Sequence, residues 1–207
     1  TLVMGSDDDY PFMDVLDRAE RRLLARPEAA TAMGAKLSFT LYGPNEATAS
    51  IVVARTIAGA DFPSRAAAFA RWPFSTTYAV TRREVLVERF ERARAVFLTG
   101  FYDFGVGLYD LAHGEMLALP EYCFAITRNF THSYLRPEGN LNFVHKAGEV
   151  LTLRGFVVDD LVARGGLPRE EAEAFADEIF ERKIVGGRFN SRRGFEVSSM
   201  FRREQVQ

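Results

Sequence analysis

In 207 residues there is one cysteine, Cys123, one tryptophan and three histidines. A lone cysteine excludes an internal disulfide and a cysteine-based zinc site, and it fits a reducing compartment or an organelle interior. His113, His132 and His145 stand at no metal-ligand spacing to one another, and no H-E-x-x-H pattern occurs. Neither a metal nor a cofactor is therefore expected. Gly100, Gly105 and Gly107 match no dinucleotide fingerprint and no P-loop, because no lysine follows and no strand-to-helix unit surrounds them. They read as points of close packing. A G-x-S-x-G elbow is also missing. No stretch of about 18 residues is free of charge, so no transmembrane segment is expected. The most apolar window, Ala95 to Ala112, still contains two aspartates and three glycines. A formal net charge of −2 supplies no general attraction for nucleic acid or an anionic membrane, which puts nucleic-acid binding last among the readings. The first residue, Thr1, is compatible with removal of a targeting peptide.

What the chain does have is phenylalanine, 18 residues of it against seven tyrosines. Burial in a core is the default for so much apolar aromatic surface. Leu86, Phe90, Ala93, Phe97, Phe101, Phe104, Leu108 and Leu111 recur at steps of three or four, the period of one helix face. The first half of this stripe is amphipathic, with Arg82, Arg83, Glu88, Arg89, Glu91 and Arg92 on the other side. The second half has Asp103 and Asp110 as its main charges, and a helix apolar nearly all round must be buried in a core or against a partner. Gly105 and Gly107 speak against continuity as far as Leu111, since each costs about 1 kcal/mol in a helix interior.

Residues 1–9 read as a flexible lead-in, 10–185 as one compact, mainly helical domain with minor β content, and 186–207 as a basic, aromatic C-terminal tail. Phe12, Leu16, Ala19 and Leu23 predict a helix, and Glu28 to Met33 a short second one. Leu37–Leu41 and Thr48–Val53 alternate and carry β-branched residues around Gly43-Pro44-Asn45, which favours a hairpin over a helix capped by Asn45. Asp61-Phe62-Pro63 opens a short Ala-rich helix, Thr76 to Val80 fits a short strand, and Thr81 would cap the long helix. Pro120 suits the start of a helix running to about Leu135. Leu141–Val144 and Val150–Leu153 look strand-like, with helix after them. Pro168 opens a helix with Ala172, Phe175, Ile179 and Phe180 on one side, ended by Gly186-Gly187.

Candidate chemistry is sparse. His145 and Glu149 would share a face only in a helix, which Gly148 disfavours. Cys123 lies between Tyr122 and Phe124, where an apolar surround raises a thiol pKa and leaves it inert. Asp103 and Asp110 would lie two helical turns apart; both are expected at the solvent edge, because an unpaired buried carboxylate is costly. From Arg182 to Arg203, seven basic residues face Glu196 alone.

Phe189-Asn190-Ser191-Arg192-Arg193-Gly194-Phe195-Glu196-Val197-Ser198-Ser199 resembles, with a one-residue gap, a C-terminal stretch of the coat proteins of rod-shaped plant viruses. That resemblance implies a helical subunit that polymerises around RNA. The Leu37 to Val53 hairpin with the later strand-like segments is similar to sterol-carrier domains.

The leading reading is a non-enzymatic structural or assembly subunit of a larger homo- or hetero-oligomeric complex. It would pack through Phe97, Phe101, Phe104 and Leu108 and dock through Arg192, Arg193, Phe195, Phe201 and Arg202. A second reading lines an apolar pocket with the same aromatics for a lipid or pigment-like ligand. A third is a small acid/base enzyme using Asp103 or Asp110 with His113 or His132.

Overall fold

The computed structural model describes residues 1–3, 10–43, 46–93, 99–129 and 147–186. In chain order these form β1 (Tyr10–Pro11), α1 (Met13–Leu24), β2 (Ala29–Gly43), β3 (Glu46–Val52), α2 (Phe62–Arg71), β4 (Val80–Thr81), α3 (Arg83–Ala93), α4 (Thr99–His113), β5 (Glu115–Asn129), α5 (Ala147–Ala163) and α6 (Arg169–Gly186). Among the described residues 53% are helical and 25% lie in strands. This is an α/β protein built on a five-stranded mixed sheet, which corrects the expectation of a mainly helical domain with minor β content.

The sheet order is β1-β5-β2-β3, with β4 on β2. The two long central strands, β2 and β5, run parallel, while β3 and β4 pair antiparallel with β2 and β1 with β5. The 37–53 hairpin is present as β2–β3, with Leu37 opposite Ile51 and Thr40 opposite Thr48. Two segments expected to be helical are the central strands instead. Glu28 to Met33 passes into β2, and Pro120 sits inside β5 rather than opening a helix. Ala-rich residues 29–35 have helical propensity, but their small side chains admit a neighbouring backbone. A Cβ on Gly34 would lie 2.2 Å from the Glu121 carbonyl oxygen. Pro120 falls where β2 advances from Met33 to Ala35 while β5 advances from Ala118 to Tyr122. A proline, lacking an N–H, is tolerated at such a bulge. Val150–Leu153, expected as strand, is helical within α5, and Thr81 belongs to β4 instead of capping α3. Leu141–Val144 lies outside the described residues.

Helix α1 covers one face of the sheet, with Val15, Leu16, Ala19 and Leu23 against Leu117, Leu119, Cys123 and Phe124. The other face, at the start of β2 and β5, is covered by the main core. There Phe62 and Phe69 of α2, Phe104, Leu108 and Leu111 of α4, Val157 and Leu161 of α5, and Ile179 and Phe180 of α6 pack with Met116. Two arginines tie elements together through backbone carbonyls, which satisfies groups that helix ends leave open. Arg82 donates to Leu23, Arg26 and Ala29, joining the end of α1 to β2. Arg65 donates to Leu111 near the end of α4 and to Gly59.

The stripe from Leu86 to Leu111 is not one helix. Arg89 and Asp110, 21 residues apart, are in contact at 3.1 Å; a continuous helix would separate them by about 31 Å. Glu88 meets His113, and Arg92 lies over the Tyr109 ring, so α3 and α4 lie antiparallel, side by side. The glycines do not interrupt α4. A Cβ on Gly107 would fall 2.2 Å from the Phe69 ring, and one on Gly105 would fall 2.6 Å from Leu153. Both glycines let α4 approach its neighbours closely, as read from the sequence.

Candidate functional site: a charged seam and the open end of the sheet

Chemistry-bearing side chains gather where α3, α4 and α5 meet. Asp110 is fully buried, with Arg89 Nη1 3.1 Å from both carboxylate oxygens and Thr76 Oγ1 donating to Oδ2 at 3.3 Å. The solvent-edge expectation for Asp110 is thus corrected: the cost of burying the carboxylate is offset by a buried partner. Burial pushes its carboxyl up to about 6, against the pull of Arg89 and Thr76. Asp103 does stand at the exposed edge, accepting from Ser75 at 2.9 Å and Thr77 at 2.6 Å.

One turn beyond Asp110, His113 has Nδ1 3.1 Å from the Tyr109 carbonyl oxygen and Nε2 3.2 Å from Glu88. Glu88 also pairs with Arg164 of α5 at 3.1 Å. Burial raises the Glu88 carboxyl, but hydrogen bonds from Tyr109 and His113 outweigh it and hold it below its ordinary range. Burial, then Glu88, pushes the Tyr109 phenol up. Asp160 of α5 pairs with Arg92 at 2.8 Å and Arg164 at 3.7 Å; burial raises its carboxyl in spite of them. The structure therefore unites Asp110 and His113, as the acid/base reading requires. It also commits each to neighbours on the protein, with Asp110 sealed behind Arg89 and Thr76. Among the described residues no three His, Cys, Asp or Glu side chains converge as metal ligands. Cys123 is buried, donates to the Gly34 carbonyl at 3.2 Å, and has its thiol pushed up by burial.

The residues proposed as packing surface fall differently. Phe104 and Leu108 are buried in this chain's own core, with Phe104 against Phe69 and Phe180, and so present no surface. Phe101 lies in α4 but its side chain is outside the described residues. Phe97, His132, His145, Arg192, Arg193, Phe195, Phe201 and Arg202 lie wholly outside the described residues. The Glu149 side chain is likewise undescribed. On α3, Phe90 of the apolar stripe is 43% exposed while Arg89 of the charged face is buried.

A second location was not visible as a site in the sequence. Tyr10, Ala125, Leu37 and Ile51 are register partners across β1, β5, β2 and β3, so they form one row on one face. Tyr10 is 69% and Ile51 54% exposed, and Leu37 and Ala125 are half-buried. On the opposite face, Lys36 and Phe124 of the neighbouring row are buried. Lys36 and Phe124 lie under Tyr78, with the Lys36 ammonium donating to the Ser75 carbonyl at 3.1 Å. Beyond Ile51, Val53 is 62% exposed, and Arg55 lies over the exposed Trp72 ring at 5.3 Å. The sheet's two edges differ. β1 is two residues long and includes Pro11, whereas β3 runs Glu46-Ala47-Thr48-Ala49-Ser50-Ile51-Val52 with neither proline nor a basic residue.

No protein-family model matches this chain, and no curated protein matches it in sequence. Its own geometry must carry the functional argument. Among the described residues no helix is long and apolar enough to cross a membrane.

Proposed function

We propose that this protein is a non-enzymatic subunit that assembles with protein partners, using the open end of its sheet in place of Phe104 and Leu108. The observation that supports this reading is the exposed row from Tyr10 to Ile51 beside an edge strand with neither proline nor a basic residue. Exposed apolar residues scattered singly need no explanation, but a contiguous group marks a surface made to be covered. Tyr, Trp and Arg, present here as Tyr10, Trp72 and Arg55, are also the residue types enriched in protein interfaces. The charged seam supports the same reading from the other direction. Its acids and bases hold α3 on α4 and α5, a structural task, and Asp110 is sealed from substrate.

Native mass spectrometry and light scattering on the purified protein test the proposal. A mass above the 23.3 kDa chain by whole protein subunits is the expected result. A bare monomer at every concentration from nanomolar to high micromolar overturns it, and a monomer retaining a small apolar molecule replaces it with the pocket reading.

A further inference from the structure

We infer that the partner is a second copy of this chain, joined by antiparallel pairing of β3 with β3 into one continuous sheet; this rests on the assembly reading above. Among the described residues no strand lies on the outer side of β3. An edge strand presents unpaired N–H and C=O groups, and folded chains guard such edges with Lys, Pro, bulges or short length. β1 has two of those devices, its two-residue length and Pro11. From Ala47 to Val53, β3 and the residue after it contain no charge and no proline, so nothing in that stretch resists a second strand.

The choice of a like copy follows from the charges at the strand's ends. Glu46 stands at one end and Arg55 just beyond the other. Two antiparallel copies bring the acidic end of each beside the basic end of the other, and a parallel pair would set like charges together. Arg55 is seated over Trp72, which holds the positive charge at that end. The two-fold arrangement is self-complementary and closes on itself. It would also cover Ile51 and lengthen the row Tyr10–Ala125–Leu37–Ile51 into one spanning both copies.

Ile51→Lys and single-cysteine substitutions at each position from Thr48 to Val52 test this, with Cys123 left buried. Because Ile51 is exposed, the lysine variant should keep the wild-type circular dichroism and melting. The expected result is a wild-type dimer of twice the chain mass, at least tenfold weaker in Ile51→Lys. Under mild oxidation the cysteine trapping should centre on a single position, the residue that lies on the two-fold axis. A dimer that survives Ile51→Lys unchanged, with no cysteine trapped, overturns the β3 pairing while leaving assembly standing. A complex containing a different protein and one copy of this chain overturns the like-copy partner but not assembly. A bare wild-type monomer at all concentrations overturns both.

Discussion

The two sides of α4 are held by opposite physics. One side meets α2 and α5 through Phe104, Leu108 and two glycines, with Phe69 and Leu153 against the bare backbone. The other meets α3 through Asp110–Arg89, His113–Glu88 and Arg92 over Tyr109. The apolar side gains from area removed from water and depends on volume. The charged side gains little net from each pair, since desolvation consumes most of the attraction. What it supplies is a demand for one arrangement, because either partner left alone in the interior is strongly unfavourable.

The largest effect should come from splitting the buried pair. Asp110→Ala removes the buried carboxylate that Arg89 Nη1 meets at 3.1 Å and should cost about 3–5 kcal/mol, read as a lowered urea midpoint. Replacing both with leucine should recover most of that loss, and a double variant as unstable as the single would show that the pair itself, and not its desolvation, carries the stability. The same carboxylate sets a pH dependence. Its folded pKa of about 6 lies above the ordinary 3.8, so the folded state binds the proton more tightly. The Asp110 contribution is therefore full below about pH 3.8 and lost as pH rises through about 6. Relative to Asp110→Asn, the wild-type urea midpoint should fall between pH 4 and 7, and a constant difference would contradict the raised pKa.

On the apolar side, Gly107→Ala drives a methyl into the Phe69 ring and should cost about 1–3 kcal/mol. Phe69→Leu should relieve part of it in a double-mutant cycle; strict additivity would mean α4 shifts instead of straining that contact. The smallest change is expected at the solvent end of the seam. Arg164→Ala removes partly exposed pairs to Glu88 and Asp160 and should cost less than about 1 kcal/mol. That loss should shrink further at high salt.

The parts of the fold legible in the sequence are those governed by local rules. Asp61 caps α2 by accepting from the Ser64 backbone N–H at 2.8 Å, and Pro63 stands in its first turn. Ala172, Ile179 and Phe180 of α6 are buried as their spacing implies. The β2–β3 hairpin follows from alternation around Gly43-Pro44-Asn45. β5 was not legible, because a short apolar run beginning near a proline fits a helix start as well as a strand. The seam misled for a related reason. A charged helix face ordinarily points to water, and nothing local in Arg89 announces a carboxylate 21 residues away. The proposed assembly surface was half-visible: Thr48–Val53 reads as a strand, but only its place at the sheet's edge makes it a surface.

By itself, then, the sequence determined the Asp61-capped helix α2, the hairpin and the exclusion of an internal disulfide. Each depends on residue type within a few positions, where sterics and hydrogen bonding act directly on the backbone. Only the tertiary structure decided that Ala29–Gly43 and Glu115–Asn129 are parallel neighbours, that α3 and α4 fold back on each other, and that Phe104 and Leu108 belong to the core. A parallel strand pair and a buried ion pair gain their free energy from partners distant in sequence. Local propensities of about 1 kcal/mol or less per residue yield to them.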